Sequence, residues 1–388
     1  MDRFDVAVIG GGPAGLMAAK HAAICGATTI LLEEHRAIGY PVQCAGLLGI
    51  RALEASEIRA EGFLLNPFRG AVFISPDGSR LSFRSPDIRA WAVDRRLFDR
   101  SMAVAAARHG VEITFGAHVK SLRRSGDLTV LEMGDKEIAA RAVISAEGVR
   151  ASIARRSGIP PPKRILSGAQ VEVPFDVDEI ESVEVHLGRD IAPGLFAWVI
   201  PISRSSARVG LCATESACFH LRRFLSSERI KDRIRGSPVS VVVGGLPLGP
   251  PDRTVADGML VVGDAAAQVK PTSGGGVYPG LICGRIAGRV AAEHVLNGGQ
   301  LERYEREWRS AIGREISLGM KVNDILRRMS DEDIDMMIRK IASRPEVVRA
   351  IESHGDIDRP SRVLLRILMM LAPDLSFIGT ILRAMFDK

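Results

Sequence analysis

A chain of 388 residues, 46% hydrophobic and 25% charged, has ordinary globular composition and the length for two or three structural units. The formal net charge is +6, yet aromatic residues make up only 5% and no Lys/Arg block is interleaved with them, which disfavours nucleic acid. An anionic substrate or membrane surface suits that charge better, although solvated basic faces are its simplest account.

The five cysteines are scattered, with no zinc spacing and no CxxC pair, so no metal site is expected and a reducing, cytoplasmic setting is. The opening MDRFDVAVIG reads as a short strand and lacks the basic segment and cleavage site of a signal peptide. GGGPAGLMAAKHAAICG then reads as a turn and a helix, and TTILLEE as a second strand, which makes a βαβ unit and implies a parallel sheet. ISPDGSRLSF (74–83) reads as a hairpin around Pro-Asp-Gly. A helix is expected from about Asp94 to His109, capped by Asp94 and stopped by Gly110. Short strands follow, ending in RAVISAEGV. Residues 170–248 read as strands again, with a helical insert near 215–227, and should form a second, antiparallel sheet with the hairpin. The chain then returns to a strand at GMLVVGDAA and a long helix from about Gly276, and it reads as helical from Leu301 onward.

The expected fold class is therefore α/β (α+β overall). Residues 1–70, 84–168 and 252–300 would form a discontinuous Rossmann-type nucleotide domain. Residues 71–83 and 169–251 would form an antiparallel substrate domain, and 301–388 a helical region.

Gly10, Gly12 and Gly15 form G-x-G-x-x-G between a strand and a helix. The first permits the turn, the second lets backbone approach a pyrophosphate, and the third lets helix pack on strand. Glu33 ends the second strand where a carboxylate binds ribose hydroxyls and repels a 2′-phosphate. The second half of the chain selects FAD over NAD. Asp264, in LVVGDAAAQVKPTSGGGV, ends a strand and can accept hydrogen bonds from a ribitol chain, and residues 274–276 let another helix N-terminus approach the ligand. Arg95 in VDRRLFD would be a further flavin contact.

With these residues assembled, the chain resembles the flavoprotein superfamily of para-hydroxybenzoate hydroxylase. Within it, the chain resembles the geranylgeranyl reductases that saturate isoprenoid chains of archaeal membrane lipids. The likeness runs through GGGPAG, PVQCAG (41–46), VDRRLFD, VISAEGV, the Trp198 segment, VGGLPLG (243–249) and the second glycine motif. It implies an FAD site of Gly10, Gly12, Pro13, Ala14, Gly15, Glu33, Glu34, Cys44, Ala45, Arg95, Val119, Gly148, Asp264, Gly274, Gly275, Gly276 and Val277. The family reads Y-x-W-x-F-P and then a glycine where this chain has Phe196, Trp198, Ile200, Pro201 and Gly210. Tyr has thus become Phe, which removes a polar tip, and Glu147-Gly148 stands where the family commonly has Asp-Gly.

The resemblance implies an isoprenoid lipid substrate lying against Phe196, Trp198, Pro201, Gly210 and Tyr278. A core Trp is the plain alternative for Trp198, and Pro201 requires its strand to be interrupted or at an edge there. Flavin-dependent halogenases carry a similar W-x-W-x-I-P. Their chemistry needs a channel lysine ahead of the substrate sheet, and this chain has no lysine between Lys20 and Lys120.

Alkene reduction needs a hydride and a proton. Cys44 is the first candidate for the proton-bearing catalytic group and Tyr278 the second; a small buried thiol is the plain reading of Cys44. There is no second G-x-G-x-x-G for a nicotinamide, so the electron donor is NAD(P)H bound transiently or a ferredoxin. The apolar segment 361–388 is interrupted by Arg366, Pro373 and Asp374, so it does not span a bilayer; it covers the lipid channel, rests peripherally on a membrane, or forms ordinary core helices. Reduction of a menaquinone side chain, and oxygenation or halogenation of a small aromatic, remain the alternatives.

Overall fold

The structure, a computed structural model, describes residues 1–371. The end of the apolar C-terminal segment, 372–388, lies outside the described residues, including Pro373 and Asp374. The apolar run that opens the chain forms β1 (Asp2–Ile9), and Pro13 opens α1 (Pro13–Ile24), where its fixed φ suits a first helical turn. β2 (Thr29–Glu33) is buried along its whole length, as a parallel strand covered on both faces should be.

These elements organise an eight-stranded sheet with β8 (Glu112–Phe115), β9 (Ser121–Ser125), β10 (Leu128–Met133), β11 (Lys136–Ser145), β17 (Val255–Ala256) and β18 (Met259–Val261). Its path is β17-β18-β11-β1-β2-β8, with β10 and β9 hanging antiparallel from β11. β18 joins β11 in parallel more than a hundred residues later in the chain, so this sheet is discontinuous in sequence.

Two further helices join α1 on one face. α3 (Arg95–Arg108) is capped by Asp94, whose carboxylate accepts the Arg96 and Leu97 amides, and it ends ahead of Gly110 at φ +89°. α6 (Val277–Asn297) crosses α1 almost backbone to backbone. A Cβ on Gly284 would lie 2.3 Å from the Ala14 carbonyl oxygen, and one on Gly288 would lie 2.1 Å from that of Ala18.

The second sheet has seven strands in the order β16-β12-β15-β14-β13-β5-β6. They are β5 (Gly70–Ile74), β6 (Arg80–Arg84), β12 (Arg164–Pro174), β13 (Ser182–His186), β14 (Phe196–Ser203), β15 (Ser206–Ala213) and β16 (Ser240–Leu248). The hairpin around Pro76 and Asp77 is present as β5–β6. One pairing departs from the antiparallel expectation: β13 runs parallel to β5. α5 (Ala217–Leu225) seals the outer face with Ala217, Leu221 and Phe224 over Val171, Val209 and Leu211.

Pro201 lies in β14, an interior strand. The β13 partner stops pairing at Val199, and a bulge follows Pro201, so its missing N–H breaks no ladder bond.

A third, small sheet of β3 (Leu47–Gly49), β7 (Ala90–Val93) and β4 (Leu64–Phe68) bridges the other two; the sequence reading did not anticipate it. α2 (Ile50–Ala55) and α4 (Ser152–Arg156) are short links. Beyond Leu301 the described residues are helical. α7 (Arg303–Trp308) docks on the first sheet through Tyr304 and Trp308, whose polar tips donate to the Val261 carbonyl and the Thr254 hydroxyl. A π-turn leads to α8 (Arg314–Arg328), α9 (Asp331–Ala342), α10 (Pro345–His354) and α11 (Ser361–Leu371). α9 and α10 pack Ile334, Ile338, Val347 and Ile351 on Leu81, Phe73 and Phe83 of the β5–β6 hairpin. Among the described residues no helix is long and apolar enough to cross a membrane.

Candidate functional site

Three glycines build the first loop, each for a different steric reason. Gly10 sits at φ +103°, and a Cβ there would lie 2.4 Å from the Ala146 carbonyl oxygen. A Cβ on Gly15 would lie 2.1 Å from the Gly10 carbonyl oxygen, so α1 touches the loop directly. A Cβ on Gly12 would meet nothing within 4 Å: this residue faces open space at the N-terminus of α1. Free amides and the positive end of the helix dipole meet there, the arrangement that binds a diphosphate.

Glu33 is buried and braces this loop. Its Oε2 accepts the Gly11 amide at 2.7 Å, and its Oε1 accepts the His35 amide at 2.9 Å. The His35 ring Nδ1 also lies 2.6 Å from Oε1, so of a carboxylate's roughly four acceptor directions about one remains for a ribose hydroxyl. Glu34 turns outward to His118 at 2.9 Å, and Val119 packs into the core.

From the loop opens a cavity of about 1070 Å³ lined by Gly12, Pro13, Ala14 and Gly15 on one side. The second glycine motif lines another side with Asp264, Gly274, Gly275, Gly276, Val277 and Tyr278. Burial pushes the Asp264 carboxyl up to about 6, against the pull of Arg95. No side chain hydrogen-bonds that carboxylate among the described residues. Next to it, the Thr272 and Ser273 hydroxyl oxygens are buried without a partner. The cavity wall thus holds an acid and two hydroxyls that await hydrogen-bonding groups.

Arg95, the first residue of α3, is gripped by Asp99 through Nε at 3.1 Å and Nη2 at 3.0 Å. Burial works against the Arg95 charge, but Asp99 and the adjacent Cys44 hold it protonated. Burial in turn pushes the Asp99 carboxyl up, against the pull of Arg95. Cys44 is half-buried on the cavity wall beside Ala45, and the Gly46 amide donates to its Sγ at 3.4 Å.

This cysteine loop is held from the other sheet. Arg208 of β15 ion-pairs with Glu172 at 3.1 Å and donates Nη1 to the carbonyls of Ala45 at 3.1 Å and Val93 at 3.0 Å. Gly148 also lines the cavity at φ +69°. Its neighbour Glu147 turns away to cap α4, accepting the amides of Ile153 at 2.8 Å and Ala154 at 3.0 Å.

Trp198 forms the opposite wall with Phe196. It pairs with Gly210 across β14–β15, and Gly210 pairs with Gln170 across β15–β12. A Cβ on Gly210 would lie 2.7 Å from the indole Cζ2, so the ring lies flat over that glycine. Its Nε1 donates to Gln170 Oε1 at 2.9 Å. Trp198 is therefore a cavity wall whose polar tip is satisfied inside the sheet. Gly210 and Pro201 lie behind it and do not line the cavity: Gly210 makes room for the ring, and the Pro201 carbonyl accepts from Asn66.

Beyond the indole the walls become apolar: Phe73, Leu81 and Phe83 on one side, Ile334, Met337 and Ile338 on the other. Tyr278 closes the cofactor end, its hydroxyl accepting from Arg359 Nη2 at 3.0 Å. Lys270 lines the same end; its Nζ donates to Asp358 at 2.8 Å and to the Ile357 carbonyl at 2.7 Å.

Four polar residues escaped the sequence reading: Gln170, Arg208, Lys270 and Asp358. Gln170 and Arg208 each interrupt an apolar strand, and that was their only signal. The structure brings Gly12, Gly15, Gly148, Gly274, Gly275, Gly276, Cys44, Arg95, Asp264, Trp198 and Tyr278 to one cavity. Gly10, Glu33, Glu34, Val119, Pro201 and Gly210 stand outside its lining.

The open cradle at Gly12, the unpartnered Asp264 and the orphaned hydroxyls fit FAD. Residues 5–162 match the family model described as FAD dependent oxidoreductase. The digeranylgeranylglycerophospholipid reductase of Methanocaldococcus jannaschii is 34% identical over 87% of this chain and 90% of its own length. The digeranylgeranylglycerophospholipid reductase 1 of Methanothermobacter thermautotrophicus is 37% identical over 85% of this chain and 88% of its own. The chain belongs to the digeranylgeranylglycerophospholipid reductase family. It is an FAD-dependent oxidoreductase.

Among solved structures, a geranylgeranyl bacteriochlorophyll reductase-like protein from Thermoplasma acidophilum superposes on this reductase with a TM-score of 0.85. It is 22% identical, and the match covers 96% of this chain and 99% of that one. A flavin-dependent halogenase superposes with a TM-score of 0.69 at 20% identity, over 97% of this chain and 79% of its own, and so shares the fold. The reductase does place one lysine at the cavity, Lys270, but Asp358 and the Ile357 carbonyl occupy its ammonium.

Proposed function

We propose that this reductase saturates C=C bonds of geranylgeranyl chains in archaeal-type ether lipids; its relatives are named digeranylgeranylglycerophospholipid reductases. The observation that carries this reading is Trp198. It lies flat over Gly210 and lines the same cavity as the predicted cofactor residues and the apolar side chains of the β5–β6 hairpin and α9. An unactivated alkene offers nothing to hydrogen-bond, so apolar walls must set its position.

Bound FAD, once reduced by NAD(P)H or a ferredoxin, supplies the hydride. The chain supplies the rest. Gly12, the α1 N-terminus, Glu33, Asp264 and residues 274–276 would hold the cofactor. Trp198 and Phe196 exclude water and fix the chain. Saturation places one hydride and one proton on the two alkene carbons, and Cys44, on the cavity wall beside Arg95, is the proton donor. Arg208 holds the cysteine loop against the substrate sheet, so proton donor and substrate wall move as one unit.

Anaerobic protein reduced with dithionite and offered geranylgeranyl ether lipid should yield products heavier by successive two-hydrogen steps, read by mass spectrometry. Transfer of oxygen or halogen with prenyl lipids left untouched would overturn the assignment. Reduction of menaquinone with the ether lipid untouched would move the substrate but not the chemistry. Cys44→Ala should keep its FAD and lose most of its turnover.

A further inference from the structure

Of the arginines that line the cavity, Arg69 and Arg95 are ion-paired, whereas Arg89, Arg189 and Arg327 have no carboxylate ion pair among the described residues. Arg89 lines the cavity where the β6–β7 connection meets α10. Its Nε donates to the Ser85 hydroxyl at 2.8 Å and its Nη2 to the Glu352 carbonyl at 3.1 Å, and no carboxylate pairs with it among the described residues. Nearby acids are engaged elsewhere. Glu181 is held by Arg69 and Arg84, and the Glu352 carboxylate accepts the Arg84 amide at 3.2 Å. Asp87 is exposed and does not line the cavity.

Arg89 is half-buried, so its remaining N–H groups are partly stripped of water without a counter-charge. A guanidinium with free donors beside apolar cavity walls matches an amphiphile with an anionic end. β7 supplies a ruler. Arg89 precedes it and Arg95 follows it, and six residues of extended chain separate the two by roughly 20 Å. An anionic end held at Arg89 therefore leaves the apolar part to reach the cofactor end.

We propose that Arg89, seated on Ser85 and flanked by Arg69, binds the phosphate group of the substrate and so determines which lipids are accepted. The inference rests on the isoprenoid reading of the cavity and adds a headgroup site to it. A free phosphate ester would use the same donors.

The test is equilibrium binding to the oxidised, FAD-loaded protein, which needs no turnover. The probes are a geranylgeranyl ether phospholipid, the neutral glycerol ether of the same chains, glycerol phosphate and inorganic phosphate. Wild type should prefer the phospholipid to the neutral ether. Arg89→Gln should cut that preference about tenfold or more, the scale of hydrogen bonds to a charged group, and Arg89→Lys should keep part of it. Arg84→Gln, an exposed charge outside the cavity lining, should leave the preference within twofold.

Flavin content and melting temperature check each variant, and Arg89→Lys carries the test if the Gln variant does not fold. An unchanged preference in Arg89→Gln, or an equal loss in Arg84→Gln, overturns the proposal. Glycerol phosphate or inorganic phosphate binding as tightly as the lipid would make this a site for small phosphates and overturn the headgroup role. If no prenyl lipid is ever reduced but the preference depends on Arg89, the substrate reading fails and the phosphate site stands.

Discussion

Gly210→Ala tests whether the Trp198 wall is built as described. The added Cβ would lie 2.7 Å from Trp198 Cζ2 and 2.8 Å from both Cε2 and the Gln170 Cβ. Carbon atoms pack at about 3.5–4.0 Å, so the indole must lift by ~1 Å. That lift stretches the 2.9 Å bond from Nε1 to Gln170, both partners of which sit against the sheet. Overpacking of this kind costs about 1–3 kcal/mol, and replacing glycine returns about 0.4–1 kcal/mol by restricting the unfolded chain. The net loss should be about 1–2 kcal/mol, or a drop of a few degrees in melting temperature at this chain length. Gly210 does not line the cavity, so FAD content should hold while the positions of the reduced bonds change. Trp198→Phe in the Gly210→Ala background should recover part of the stability, because the smaller ring clears the methyl, and a double-mutant cycle measures that coupling. A Gly210→Ala protein with unchanged melting temperature and product pattern would show that the ring does not rest on this glycine.

Three further outcomes follow from the same geometry. Gly12→Ala should fold with wild-type stability as apoprotein and lose FAD affinity, because its Cβ points into open space, whereas Gly15→Ala should fail to fold, with a methyl 2.1 Å from the Gly10 carbonyl oxygen; flavin absorbance and thermal melts separate the two. The Asp264 carboxyl stands at about 6 in the folded chain and near 3.9 in the unfolded one, so folded apoprotein binds the extra proton between those values. Apoprotein stability should therefore fall as pH rises from about 4 to about 6, by an order of 1–3 kcal/mol, and Asp264→Asn should flatten that slope in urea titrations. Lys270→Met should cost about 3–5 kcal/mol by stranding the buried Asp358 carboxylate, and Lys270→Met with Asp358→Leu should cost less than Lys270→Met alone, as chemical denaturation will show.

The parts of the site that could be read from the sequence are those whose reasons are local. G-x-G-x-x-G carries its own steric logic, and Asp94 announces its helix by capping it two and three residues on. Trp198 could be read as a wall of the lipid channel, but the seating of its ring could not. Its meaning depends on the register that lines up Trp198, Gly210 and Gln170 across three strands, and no neighbouring residue specifies that register. Glu147 could be read as a departure from the family pattern. Its role as a cap on α4 needed the fold of residues 148–154. The parallel pairing of β13 with β5, the bridging third sheet and the Lys270–Asp358 pair all join distant segments, and composition alone does not encode which segments meet.

That last pair also sets an order of events in the making of the protein. Lys270 belongs to the loop that would hold FAD, yet its counter-charge lies 88 residues further on, in the stretch that also sends Arg359 to Tyr278 and Asp356 to Arg51. While a ribosome is still adding the final helices, the nucleotide sheet is already complete, because β18 ends at Val261. The cofactor loop is not: its lysine has no carboxylate until residue 358 has left the exit tunnel. A chain broken off before α10 would keep every strand of the nucleotide sheet and leave Lys270 without its carboxylate.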